Sequence, residues 1–149
     1  MCIKFIKETN NNVEIEIREF FMLRGIKKYA LFFLVGGLGY AAIEIIWRGR
    51  THWSMMIAGG LCFVFFSIVA DLFTEKSILF KAGVSALCVT AIELIFGVIF
   101  NIWLGMDVWD YSNVPMNFLG QICPIYTLLW AGIAIVFMPF VEVLNKEYT

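Results

Sequence analysis

Glu93 is a single carboxylate inside the apolar stretch 78–100. In hydrocarbon such a group is costly, so it is expected to face protein or water rather than lipid. Residues able to satisfy it stand elsewhere in the chain: Trp109-Asp110-Tyr111-Ser112 and Asn117 downstream, Glu44, Arg48 and His52 upstream. Glu93 could accept hydrogen bonds from Tyr111, Ser112 or Asn117, with Arg48 balancing its charge around a water-lined cavity. Carboxylates outnumber cations in this set, so a ligand held there would be small and polar or cationic.

Each member also has a plainer use. Asp110, Ser112 and Asn117 suit the capping of a turn into the following helix. Glu44 and Arg48 are four residues apart, a spacing that pairs them on one helix face. His52, the sole histidine, suits an interfacial hydrogen bond beside Trp53. As an acid–base set the best available is Glu93 or Asp110 with His52, and no nucleophile, base and orienter share a recognisable spacing. Catalysis is not expected.

The elements that must position these residues follow from composition. Hydrophobic residues make up 61% of the 149, charged residues 15%, and mean hydropathy is +0.84. That exceeds what a soluble chain of this size can bury, and predicts an all-α integral membrane bundle. Four spans are expected at 29–47, 54–73, 78–100 and 118–141, behind a polar leader at 1–28. The leader is expected to be mobile and then to run into an amphipathic segment on the membrane surface. Gly36, Gly37 and Gly39 in the first span, Gly59 and Gly60 in the second, and Gly97 and Gly120 around the loop are expected to let helices approach closely. Asp71 is expected to be held by Lys76 or Lys81. Pro124 and Pro139 could kink the ends of the fourth span.

Net charge is −1, so nothing suggests nucleic acid. Cys2, Cys62, Cys88 and Cys123 lack disulfide or zinc spacing, and no metal or cofactor is expected. No cleavable signal is expected. Of the 11 Lys and Arg, nine (Lys4, Lys7, Arg18, Arg24, Lys27, Lys28, Lys76, Lys81 and Lys146) fall on the side of the N-terminus and only Arg48 and Arg50 on the other. That imbalance predicts both termini in the cytoplasm of a multi-pass protein of the cell membrane.

Glu93-Leu-x-x-Gly97, Trp109-Asp110-Tyr111-Ser112 and Asn117-x-x-Gly120-x-Ile122-Cys123 together resemble the CmpB-like family of small bacterial membrane proteins labelled type IV ABC-transporter components. Animal transmembrane proteins of unknown role share the Trp-Asp-Tyr-Ser signature. The block from Glu44 through Trp47-Arg48-Gly49-Arg50-Thr51-His52-Trp53-Ser54-Met55 is similar to a Firmicute branch of that family. The resemblance covers roughly residues 36–130 and implies a permease-like transport component. The sequence has no G-x-x-x-x-G-K-[ST], so ATP hydrolysis would fall to a separate chain. Four spans are few for a conduit, which implies a homo-oligomer or a partner subunit in the lipid bilayer. A second reading stays open: a non-transport scaffold or accessory protein in which the polar cluster serves packing.

Overall fold

The computed structural model describes residues 2–148, with side chains from Glu14 onward. Four helices run in the order α1 (Cys2–Arg48), α2 (Trp53–Leu72), α3 (Ile78–Phe96) and α4 (Pro124–Lys146). A π-helical turn, Gly97–Trp103, extends α3. All four are long and apolar enough to cross a membrane, and the architecture is an all-α membrane bundle. α1 packs on α2, α3 packs on α4, and α2 touches both α3 and α4. Half of the α2 span is buried inside the protein but only 17% of the α4 span. α4 therefore presents most of its apolar surface outward, as a lipid-facing helix does.

The close approach of α1 to α2 depends on glycine. A Cβ on Gly36 would strike the Phe63 side chain and come within 2.6 Å of the Gly59 carbonyl, and one on Gly59 would strike Tyr40. Gly37 and Gly60 are equally confined, against the Met56 and Phe33 carbonyls at 2.7 and 2.8 Å. Without side chains at these points the two backbones touch, the gain being dispersion over a long contact. Gly39, grouped with them by sequence, faces open space. It is exposed and lies off the strip that meets α2.

Three boundaries differ from the sequence expectation. The leader continues into the first span as one unbroken helix, since neither the asparagine run 10–12 nor Gly25 interrupts it. Residues 14–23 are exposed all round. The third span carries on through the π turn to Trp103. The fourth begins at Pro124, because Leu119 and Gly120 have positive φ (55° and 67°) and Phe118 bridges to Ile122. Left-handed backbone cannot belong to an α-helix, whereas proline at the first helical position is favourable.

The end of the bundle where α2 leads into α3 carries a polar lock. Lys28 donates to Asp71 at 2.5 Å, and Asn145 donates to the other Asp71 oxygen at 2.7 Å. Asn145 also exchanges hydrogen bonds with Ser67, while Lys81 reaches Glu142 at 2.6 Å and the Thr74 carbonyl at 3.2 Å. The expectation that Lys76 or Lys81 holds Asp71 gives way here: the partner comes from α1, which lies alongside α2. Between this lock and the opposite, loop end lies a core of Phe32, Phe63, Phe66, Val89, Met138 and Val141.

Candidate functional site

At the loop end, the chain between the π turn and α4 folds back over the bundle and is fastened from within. Asn101, buried on the π turn, donates to the Trp109 carbonyl at 2.8 Å and the Gln121 Oε1 at 2.7 Å, and accepts from the Val108 N–H at 2.7 Å. Trp109 is buried and its indole N–H donates to the Gln121 carbonyl at 3.0 Å. A Cβ on Gly97 would lie 2.5 Å from the Gln121 Oε1, so the loop can settle onto the helix only at a glycine. Buried backbone in a membrane protein must find partners inside the fold, and these bonds supply them.

The polar residues of the loop fasten the loop itself. Asp110 accepts from the Ser112 N–H at 2.8 Å and its hydroxyl at 2.5 Å. Asn117 donates to the Ser112 and Val114 carbonyls and accepts from the Gly120 N–H. The Tyr111 N–H donates to the Gly120 carbonyl at 2.7 Å. At Gly120 (φ +67°) a Cβ would lie 2.6 Å from the Ser112 hydroxyl, so position and backbone both demand glycine. The Ser112 hydroxyl, and after it the Ser112 N–H, hold the exposed Asp110 carboxyl below its ordinary pKa.

Glu93 lies beneath this loop, only 5% exposed. The Tyr111 hydroxyl points to its Oε1 at 3.5 Å, the outer limit of a hydrogen bond. Burial pushes the Tyr111 phenol well above its ordinary pKa, and the Glu93 charge adds to the shift. The phenol therefore remains a neutral donor. From α4 the buried Trp130 indole N–H is directed at the Glu93 carboxylate, just outside strict hydrogen-bond geometry. Tyr40 on α1 lies within electrostatic range of both Glu93 and Glu44, so the two carboxylates share this end of the bundle. Tyr40 stacks on Trp130 with centroids 5.9 Å apart, and Tyr111 on Tyr126 at 4.3 Å.

Arg48 goes elsewhere. It pairs with Glu44 and donates to the Val108 carbonyl at 3.1 Å, while Thr51 donates to the second Glu44 oxygen at 2.6 Å. Arg48 thus ties the end of α1 to the loop before α4 and does not balance Glu93. None of the three ion pairs among the described residues includes Glu93. His52 caps α2, accepting from the Ser54 N–H at 3.3 Å and meeting its hydroxyl at 2.7 Å. Of the three donors offered to Glu93 by the sequence, only Tyr111 reaches it. Ser112 and Asn117 are turned into the loop.

Sequence reasoning passed over Asn101, Tyr40, Tyr126, Trp130 and Thr51, and gave Gln121 no role. A signal existed for some of them. Tyr40, Glu44 and Arg48 follow at intervals of four, as do Glu93, Gly97 and Asn101, and each series marks one helix face. Among the described residues no three His, Cys, Asp or Glu side chains converge on a metal site.

The family model described as "Putative ABC-transporter type IV" matches residues 30–149, from the start of the first span onward. No curated protein and no solved structure matches the chain.

Proposed function

The chain belongs to that family, and on this premise we propose that it is a permease-like membrane subunit of a transport system, with a small-molecule site built on Glu93. The observation that carries the reading is a buried carboxylate with no cation paired to it among the described residues, lying under a loop at one end of the bundle. An ionised group taken out of water without a partner costs several kcal/mol even after the protein relaxes, roughly. A ligand that supplies positive charge removes that cost, so the site favours cations over neutral or anionic solutes. The excess of Lys and Arg on the side of the termini supports an orientation with this loop end outward and both termini in the cytoplasm. With no P-loop in the sequence, the reading assigns ATP hydrolysis to another chain, and the exposed faces of α1 and α4 leave room for a partner subunit or a second copy.

A second reading, a membrane scaffold or accessory protein, draws on the Asn101, Trp109 and Gln121 network, which is satisfied internally and needs no ligand. Glu93→Gln separates the two, since it keeps shape and removes charge. In a host lacking the gene, the transport reading expects the variant to fail to complement while extracting in gentle detergent as a monodisperse protein at wild-type yield. Full complementation sinks the transport reading. Loss of folded protein favours the scaffold.

A further inference from the structure

We infer that the positive charge Glu93 takes up is a proton, exchanged with the loop side through the Tyr111 hydroxyl. This rests on the reading of Glu93 as a cation site and names the cation. The groups facing the carboxylate come from four elements and are neutral. The Tyr111 hydroxyl reaches it from the loop at 3.5 Å, and the Trp130 indole N–H is directed at it from α4. Tyr40 of α1 and the Cys62 thiol of α2 lie within electrostatic range. The charges further along α1, Glu44 and Arg48, are paired with each other. Tyr126 of α4 stands behind Tyr111, stacked on its ring.

This shell suits a carboxyl that gains and loses a proton. A phenol bonded to a permanently ionised carboxylate closes to about 2.5–2.7 Å, and here the separation is 3.5 Å. An indole N–H can only donate, whereas a hydroxyl both donates and accepts. Once Glu93 is protonated, its O–H donates to the Tyr111 oxygen while its carbonyl oxygen still faces the Trp130 N–H. Only the phenol hydrogen has to turn. A divalent metal asks for more: calcium takes about six to eight oxygen ligands and magnesium a near-octahedral shell, and no three His, Cys, Asp or Glu side chains converge among the described residues. Tyr111 also stands between Glu93 and the loop face, half-buried where the carboxylate is buried. In the exchange its oxygen takes a proton from hydronium at the loop face as its own O–H proton passes to Glu93 Oε1. The hydronium becomes water, the carboxylate becomes a carboxyl, and the phenol ends as it began.

The test is infrared difference spectroscopy of the full chain in ester-free detergent micelles, taken from about pH 9 down to about pH 4, which spans deeply buried and ordinary glutamates. Carboxyl C=O absorption reports protonated acids, and those shared by wild type and Glu93→Gln cancel between them. The expected result is a carboxyl band that grows within this interval in the wild type, is lost in Glu93→Gln, and moves to lower frequency in heavy water. In Tyr111→Phe the band should move to higher frequency, because the Glu93 O–H has lost its acceptor. Should Glu93→Gln not fold, that shift identifies the band by itself. A Glu93 band absent at every pH, or present unchanged at every pH, overturns the proton assignment. A band that Tyr111→Phe leaves in place removes the phenol from the path and overturns the inference as stated. Complementation is read separately: if no proton titrates on Glu93 and Glu93→Gln still fails to complement, the inference falls and the transport reading stands, whereas full complementation by Glu93→Gln sinks both.

Discussion

Asn101 carries the test of how the loop is held. Its side chain makes three hydrogen bonds of 2.7–2.8 Å, two of them to backbone groups of Val108 and Trp109, in a position 9% exposed. Asn101→Ala leaves the Val108 N–H and the Trp109 carbonyl without partners. Each buried orphan costs about 1–3 kcal/mol, and Gln121 can turn to recover part of its own loss. The expected destabilisation is about 3–5 kcal/mol. By the scaling of soluble proteins of this size, that lowers Tm by roughly 10 °C. Thermal unfolding in detergent micelles, followed by tryptophan fluorescence, reads it directly because Trp109 sits in the affected network.

Two companions make the argument specific. Asn101→Asp keeps the shape and the acceptor for Val108, but turns a carboxylate toward two other acceptors, the Trp109 carbonyl and the Gln121 Oε1. It should be at least as damaging as alanine. Asn113→Ala, on the exposed part of the same loop, should stay within about 0.5 kcal/mol of wild type. If Asn101→Ala matched Asn113→Ala, or if aspartate were tolerated at 101, the loop would owe its position to something other than these bonds.

The loop and the polar lock each give a further expectation. Because hydrogen bonds from Ser112 hold the Asp110 pKa below the ordinary 3.8, Asp110 stabilises the turn at neutral pH and loses that effect only as pH falls through its lowered value. The Ser112 amide resonance should titrate with a midpoint below 3.8, and a midpoint at or above it would refute the assignment. At the lock, Asp71→Ala strands the buried Lys28 ammonium, yet Asp71 is itself 39% exposed, so the cost should be about 1–3 kcal/mol. Lys28→Met combined with Asp71→Leu should recover part of that in thermal unfolding, and a double variant no better than Asp71→Ala would show that charge pairing is not what the two contribute.

The membrane bundle was legible because an apolar run of about 20 residues has few other uses. Its edges were less so. Phe118 and Leu119 read as the start of a span by hydropathy, but hydropathy carries no information on φ, and the left-handed Leu119-Gly120 pair delays α4 to Pro124. Spacing along one helix was informative, as at Glu44 and Arg48. Pairing between helices was not: Lys28 and Asp71 are 43 positions apart, and Lys76 and Lys81 stood nearer in sequence. Around Glu93 the sequence offered Tyr111, Ser112 and Asn117 as equal donors, and the turn geometry that withdraws two of them is visible only in three dimensions. Tyr40, Tyr126 and Trp130 were harder still, since an aromatic residue in an apolar span looks the same whether it faces lipid or a carboxylate.

The two ends of the bundle handle charge differently, and the difference bears on which reading of Glu93 is sounder. At the lock, Lys28 and Lys81 each meet a carboxylate. At the loop end, Arg48 is committed to Glu44 and the Val108 carbonyl, and Glu93 meets the neutral donors Tyr111 and Trp130 but no cation among the described residues. The same helix also contains Asn101, which fastens the loop with three short bonds and no charge. A neutral amide is thus sufficient for the structural task in this very region. A carboxylate at 93 performs it less well and at greater cost in desolvation, so packing alone gives no reason for the charge. The cation site proposed for Glu93 does.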